Sequence, residues 1–297
     1  MPSSNKAMDA YLYRIIHLIL GGLFFVFTFP ANAQSGWTKG RGELFTKVSY
    51  LHFGADNYYN LSGRSMKTAR FSQQALGLYG EYGVTDRLTI LMDWPFVKTQ
   101  GFQTTENVWG TGDLKVGAKY ALSKKIPISI SVIPDLPLAQ GNKFAQNKMN
   151  AFEQINLPTG DGEFNLYTVL AISTSLHPIP VYFNFYGGYN FRTKYESSDL
   201  SDQLIEGLEV GYNPVQKIWV KSGVRLQQTL SNENAVVSFV RGEGTELTSI
   251  YGGIFYQLNE NWGIDLNYFG YLNQPQKPRN IYTGSVFSIG IVFELKK

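Results

Sequence analysis

Beyond residue 33 the chain offers two histidines, His52 and His177, and its 297 residues include no cysteine. Nucleophilic catalysis needs a base held beside the attacking hydroxyl or thiol, so these two imidazoles bound the enzymatic readings. His177 lies in Leu176-His177-Pro178-Ile179, a turn-forming stretch in which it reads as a solvated loop residue. His52 shares the parity of Val48 and Tyr50, and no recognisable His-Ser motif accompanies it. Metal binding has no better footing, with no Cys, no His pair and no EF-hand-like acidic loop. Arg241-Gly242-Glu243-Gly244 lacks the Lys-Ser/Thr and following helix of a phosphate loop. No catalytic, cofactor-binding or metal-binding residue is therefore assigned, and no cofactor is expected.

What remains is a mixed-sign set on alternate positions: Lys47, Gln73, Glu81, Asp93, Lys115, Lys119, Glu209, Lys221, Arg225, Asp265, Asn267 and Glu294. These are the candidate residues for lining an interior. Opposite charges there could pair across a lumen and plug it, or leave a narrow passage. A lining of one sign would have argued for ion selectivity, and this set has both.

Holding such residues on one face requires strands, whose side chains alternate with period two. Twelve alternating segments are predicted, at roughly 42–54, 70–82, 87–98, 112–122, 127–138, 163–175, 180–192, 203–213, 217–229, 246–258, 261–272 and 282–295. In the eleventh, Trp262, Ile264, Leu266 and Tyr268 oppose Gly263, Asp265 and Asn267. A one-residue slip would carry the charges into hydrocarbon, at about 2–4 kcal/mol for each Lys or Arg at mid-depth. Short connections such as Gly83-Val84-Thr85-Asp86 and Asn259-Glu260 alternate with long ones, of which 139–162 is the longest. That loop carries Phe144, Met149, Phe152 and Ile155, so it could fold inward or stay on the surface. Strands of about 12 residues tilted near 45° cover about 28 Å, enough to cross an apolar band. Tyr82, Trp94, Tyr212, Trp262 and Tyr271 are expected in interfacial aromatic girdles.

Composition agrees with a sheet that has one face in lipid. Charged residues make up only 16% and aromatics 15%, yet the mean hydropathy is −0.16, as expected when lipid-facing and interior residues alternate. The fold class is accordingly all-β, a closed antiparallel transmembrane barrel of about twelve strands. Ahead of it, Lys6 and Arg14 precede an apolar run from Ile15 to Phe29 that ends at Pro30, and Ala31-Asn32-Ala33 forms an A-x-A site. Residues 1–33 are read as a signal peptide and 34–297 as the barrel, since the apolar run falls short of the roughly 20 residues of a spanning helix. Cleavage would leave 24 of the 26 basic and 22 of the 23 acidic residues, a near-neutral balance that gives no reason to expect nucleic acid.

The last segment, Ser288-Ile289-Gly290-Ile291-Val292-Phe293-Glu294-Leu295, resembles the C-terminal β-signal read by the barrel-assembly machinery, with Lys296 and Lys297 trailing where that pattern usually stops. Gly80-Glu81-Tyr82-Gly83-Val84-Thr85-Asp86-Arg87-Leu88, Trp94-Pro95-Phe96-Val97, Gly110-Thr111-Gly112-Asp113-Leu114 and Leu157-Pro158-Thr159-Gly160-Asp161-Gly162 resemble the outer-membrane transporter-like family named for the MetA pathway of phenol degradation. The signal peptide and the alternation point to an integral barrel of a Gram-negative outer membrane, five short and six long connections leave both termini periplasmic, and the resemblance implies passage of small hydrophobic or aromatic compounds. The expected partners are outer-membrane lipids, the assembly machinery and periplasmic chaperones during biogenesis, and a small-molecule substrate. Two alternatives stand beside it: a plugged structural or recognition barrel, and a lipid-acting outer-membrane enzyme using His52.

Overall fold

The computed structural model describes residues 34–194, 200–230 and 244–297; the expected signal peptide at 1–33 and the residues Arg241, Gly242 and Glu243 lie outside them. Fifteen strands form in the order β1 (Leu44–Tyr59), β2 (Ser65–Gly83), β3 (Leu88–Phe102), β4 (Val108–Gly110), β5 (Leu114–Ser123), β6 (Ile128–Leu136), β7 (Phe144–Gln146), β8 (Gln154–Asn156), β9 (Asn165–Ser175), β10 (Val181–Arg192), β11 (Gln203–Val215), β12 (Ile218–Thr229), β13 (Leu247–Gln257), β14 (Trp262–Leu272) and β15 (Ile281–Leu295). Twelve of them build the barrel, each antiparallel to its neighbours. β1 pairs with both β2 and β15, and β2 with β3, so the sheet closes without an edge. Closure satisfies every ladder and makes the architecture compatible with hydrocarbon. Of the remaining three, β4 adds to β3, and β7 and β8 pair as a separate hairpin inside the longest loop.

Alternation explains which way each strand faces. On the outer wall Val48, Ile90, Ile130, Leu170, Leu208, Ile254, Leu266 and Ile289 are all exposed, forming the apolar surface. Their inward neighbours are polar and buried, among them Lys47, Thr89, Ser129, Glu209, Asp265 and Ser288. This inversion of the soluble-protein pattern is what a wall between lipid and an interior requires. Tyr82 and Trp262 stay on the outside, as girdle residues should. Tyr271 does not, because its parity is that of Asp265 and Phe269, and it lines an internal cavity instead.

Register shifts adjust the walls, two of them toward the long loops. Register shifts between Leu76 and Leu78 opposite β3, so that Leu91 and Asp93 face inward on one side of Pro95 and Lys98 and Gln100 on the other. A second shift, between Gly54 and Asn57, lets β1 and β2 continue to Tyr59 and Ser65, past the ends that alternation predicts.

Candidate functional site

Cavities occupy three levels of the interior. At the end of the short turns, about 490 Å³ is bounded by Trp37, Lys47, Glu81, Tyr182, Glu209, Trp219, Lys221, Phe255, Asp265 and Glu294, among others. The middle level is a waist of about 120 Å³ with Asp93, Lys115, Lys119, Arg225, Tyr167, Tyr186 and Tyr251 in its wall. Toward the long loops lies about 470 Å³ lined by Phe53, Phe71, Gln73, Lys98, Gln100, Phe269, Tyr271 and Tyr282, with Pro158 and Asp161. Adjacent levels share Tyr79 and Phe269. Eleven of the twelve residues singled out by parity line these cavities, and the twelfth, Asn267, lines none of them but is buried and donates to Asp265 at 2.8 Å.

Their charges are matched along the wall rather than across the space. Lys47 of β1 reaches over β15 to Asp265 of β14 at 3.2 Å, and Lys221 of β12 reaches over β13 to the same carboxylate at 3.4 Å. Both arms pass over glycines. A Cβ on Gly290 would stand 3.1 Å from Lys47 Cγ, and one on Gly253 would stand 2.9 Å from Lys221 Cε. Lys119 reaches over β3 in the same way to Glu81 at 2.9 Å, and Lys115 meets the neighbouring Asp135 at 3.8 Å. Glu209 is held by donors instead, the Tyr182 hydroxyl at 3.0 Å and Asn184 Nδ2 at 3.1 Å. Pairing across the lumen, one of the two readings left open, is not what forms: the pairs run along the wall, three of them skipping one strand and Lys115–Asp135 joining neighbours. Long cations lie flat against glycine-thinned wall, which keeps the ion pairs at the lumen surface.

Aromatic rings use the same device. Tyr186 opposes Gly207, Tyr182 opposes Gly211 and Tyr251 opposes Gly223 across the ladder, and a Cβ on any of those glycines would fall inside the facing ring. The rings lie along the wall, a cross-strand packing that replaces the missing side chains.

What crosses the interior is the segment 34–41, which no alternation marked. Gly36 donates its N–H to Ser173 Oγ at 2.7 Å, Ser129 Oγ donates to the Ser35 carbonyl at 2.9 Å, and Lys39 N–H donates to Thr89 Oγ1 at 2.9 Å. Lys39 pairs with Glu294 at 2.8 Å, and Trp37 meets Tyr182 edge-on at 5.7 Å. Gln34 reaches the waist.

The longest loop does both things open to it. Leu157 is buried with Val108 and Ala145, Gln100 Nε2 donates to the Pro158 carbonyl at 2.6 Å, and Lys98 Nζ donates to the Thr159 carbonyl at 2.9 Å, so this end roofs the aromatic cavity. Met149 and Phe152, near the hairpin turn, are 85% and 100% exposed. Below the roof Glu163 is held by Arg192, with Nε to Oε1 at 2.7 Å. Burial nonetheless pushes the Glu163 carboxyl up to about 7, and burial also raises Asp161.

His52 stands on the outer wall beside Tyr50, Leu266 and Phe287. Ser288, which lines the same pocket, accepts from Asn267 Nδ2 at 3.3 Å, and Ser285 is bonded to Tyr268 at 2.6 Å; no hydrogen bond between His52 and a serine is seen among the described residues. No cluster of three or more potential metal ligands exists among them either.

No family model and no curated protein matches the sequence. Solved structures do resemble the fold. An outer membrane channel from Pseudomonas putida F1 superposes with TM-score 0.65 at 15% identity, over 90% of this chain and 100% of that one. The translocator domain of the autotransporter NalP from Neisseria meningitidis gives 0.51 at 10% identity, over 98% of each chain. The NanC porin gives 0.51 at 9% identity, over 85% of this chain and 100% of the other. The fold is that of an integral outer-membrane β-barrel, as the alternation implied.

Proposed function

We propose that the chain is a passive outer-membrane channel for small apolar or aromatic molecules, exported behind residues 1–33, with its short turns and both ends in the periplasm. The observation that carries this reading is the stack of three cavities inside a closed wall, entered through an aromatic chamber beneath the long loops. Chambers of this size with apolar walls and a few placed polar groups suit small molecules. The named channel and porin among its structural neighbours support passage.

Reconstituted vesicles test it: uptake of a small aromatic alcohol should exceed that of a sugar of similar size, and a barrel impermeable to both would refute passage. Amino-terminal sequencing of the membrane-purified protein tests cleavage before Gln34. Protease protection in whole cells tests the orientation. Depletion of the assembly machinery or of periplasmic chaperones should leave the chain unfolded in the periplasm.

A second reading, a plugged recognition barrel, draws on the segment 34–41 inside the short-turn half. It requires that removing the 139–162 loop abolish partner binding without opening a pore.

A further inference from the structure

The charges at the waist are not equally provided for. Lys119 has Glu81, and Lys115 has Asp135 as well as the Tyr167 ring face at 5.0 Å. Among the described residues Arg225 has no carboxylate within ion-pair distance, although Asp93 lines the same waist. Its one side-chain hydrogen bond goes to the neutral Gln227 at 3.3 Å, and its Nε is buried without a partner. A guanidinium nitrogen so placed is closed off from solvent without a compensating bond, which is unusual enough to need a reason.

Its neighbours supply one. Arg225 stands opposite Ser249 in the ladder, and Ser249 stands opposite Tyr271, so the guanidinium shares a row with the floor of the aromatic chamber. On its other side is Gly207, covered by Tyr186. Immediately above, Phe269 belongs to both cavities and meets Tyr271 edge-on at 5.1 Å, while Phe71 stacks on Tyr282 at 5.1 Å and packs against Phe53 at 6.0 Å. The chamber's own charges, Lys98 and Asp161, are of opposite sign. The arrangement is a cage for an apolar ring or chain, standing over a cation that has no ion pair among the described residues.

We infer that this chamber and Arg225 form a binding site for small aromatic monocarboxylates, with the ring among Phe53, Phe71, Phe269 and Tyr282 and the carboxylate on the Arg225 guanidinium. Planar carboxylates match the guanidinium fork, and the charge-assisted bond replaces the hydration lost at Nε. A neutral aromatic would satisfy the cage alone. This inference rests on the lumen being accessible from the long-loop end, as the channel reading holds.

The experiment is calorimetric titration of the folded, detergent-solubilised protein with benzoate and with benzyl alcohol, alongside bilayer conductance of the same preparation. Benzoate should bind at least about tenfold more tightly than benzyl alcohol, the margin of one charge-assisted bond. Arg225→Gln should bring the two ligands level, and Arg225→Lys should restore part of the difference. Equal binding of the two ligands by the unaltered protein, or an unchanged preference in a folded Arg225→Gln, would overturn the inference. The unaltered comparison stands even if that variant does not fold. Conductance without a benzoate preference refutes the site and leaves the channel, whereas Arg225-dependent binding without conductance refutes the channel and leaves the site.

Discussion

The two ends of the lumen solve the problem of an interior wall in opposite ways. Toward the short turns the wall is charged, and Lys47, Lys221 and Lys119 each reach a carboxylate two strands away, the first two over a glycine. Toward the long loops the wall is aromatic, and a loop rather than an ion pair closes it. The first end is specified by register alone, since each pair exists only if three consecutive strands align. The second depends on a long connection that can vary without disturbing the ladder. Rigidity and adaptability are thus separated along one axis.

Four perturbations would break or sharpen that contrast. The largest change should come from deleting residues 34–41, which are held by the short-turn half; single-channel conductance should rise several-fold, and no rise would mean that the constriction lies elsewhere. Next, Asp265→Ala strands Lys47 and Lys221 together in a buried setting. Breaking such a pair costs on the order of 3–5 kcal/mol, read as a lower denaturation midpoint, whereas removing an exposed pair such as Arg70–Asp56 should cost at most about 1 kcal/mol. Third, Gly223→Ala drives a methyl into the Tyr251 ring and should cost about 1–3 kcal/mol by overpacking, while Gly187→Ala, which meets nothing within 4 Å, should be close to neutral.

The smallest effect concerns the roof. Glu163 has its folded pKa raised to about 7 by burial, so it binds its proton more tightly in the anchored loop than in the free one. Its contribution is fully present below the ordinary carboxylate range and is lost as pH rises through 7, at most on the order of 1–2 kcal/mol. Hydrogen exchange at 157–164, corrected for intrinsic rate, should show easier opening at pH 8 than at pH 6, and Glu163→Gln should flatten the difference. An identical slope in both proteins would show that the anchoring does not titrate there.

Alternation made the barrel strands readable: β9, β10, β12 and β14 begin and end within about two residues of where period two places them. The same parity separated Asp265 and Asn267 from Leu266, and Lys221 and Arg225 from Val224. Tyr271 was misplaced because an aromatic near a strand end was read by type rather than by parity. The aromatic lining was hidden for the same reason, although Tyr186 and Tyr251 at the waist and Tyr271 in the chamber each share the parity of polar or glycine neighbours, a usable signal. Lys98 and Gln100 were lost at the bulge beside Pro95, where strict counting fails. The segment 34–41 left no trace, since a chain bonded through its backbone to hydroxyls needs no pattern of its own.

The clasp on Asp265 has a bearing on how the molecule is made. Lys47 and Asp265 lie 218 positions apart, and their bond bridges β15 where the first and last strands meet. Contacts of such separation come late, after the intervening chain is in place. The Lys47–Asp265 bond is therefore a latch that can engage only on a finished ring. A newborn chain stalled half-way would hold Lys221 to its carboxylate and leave Lys47 waiting.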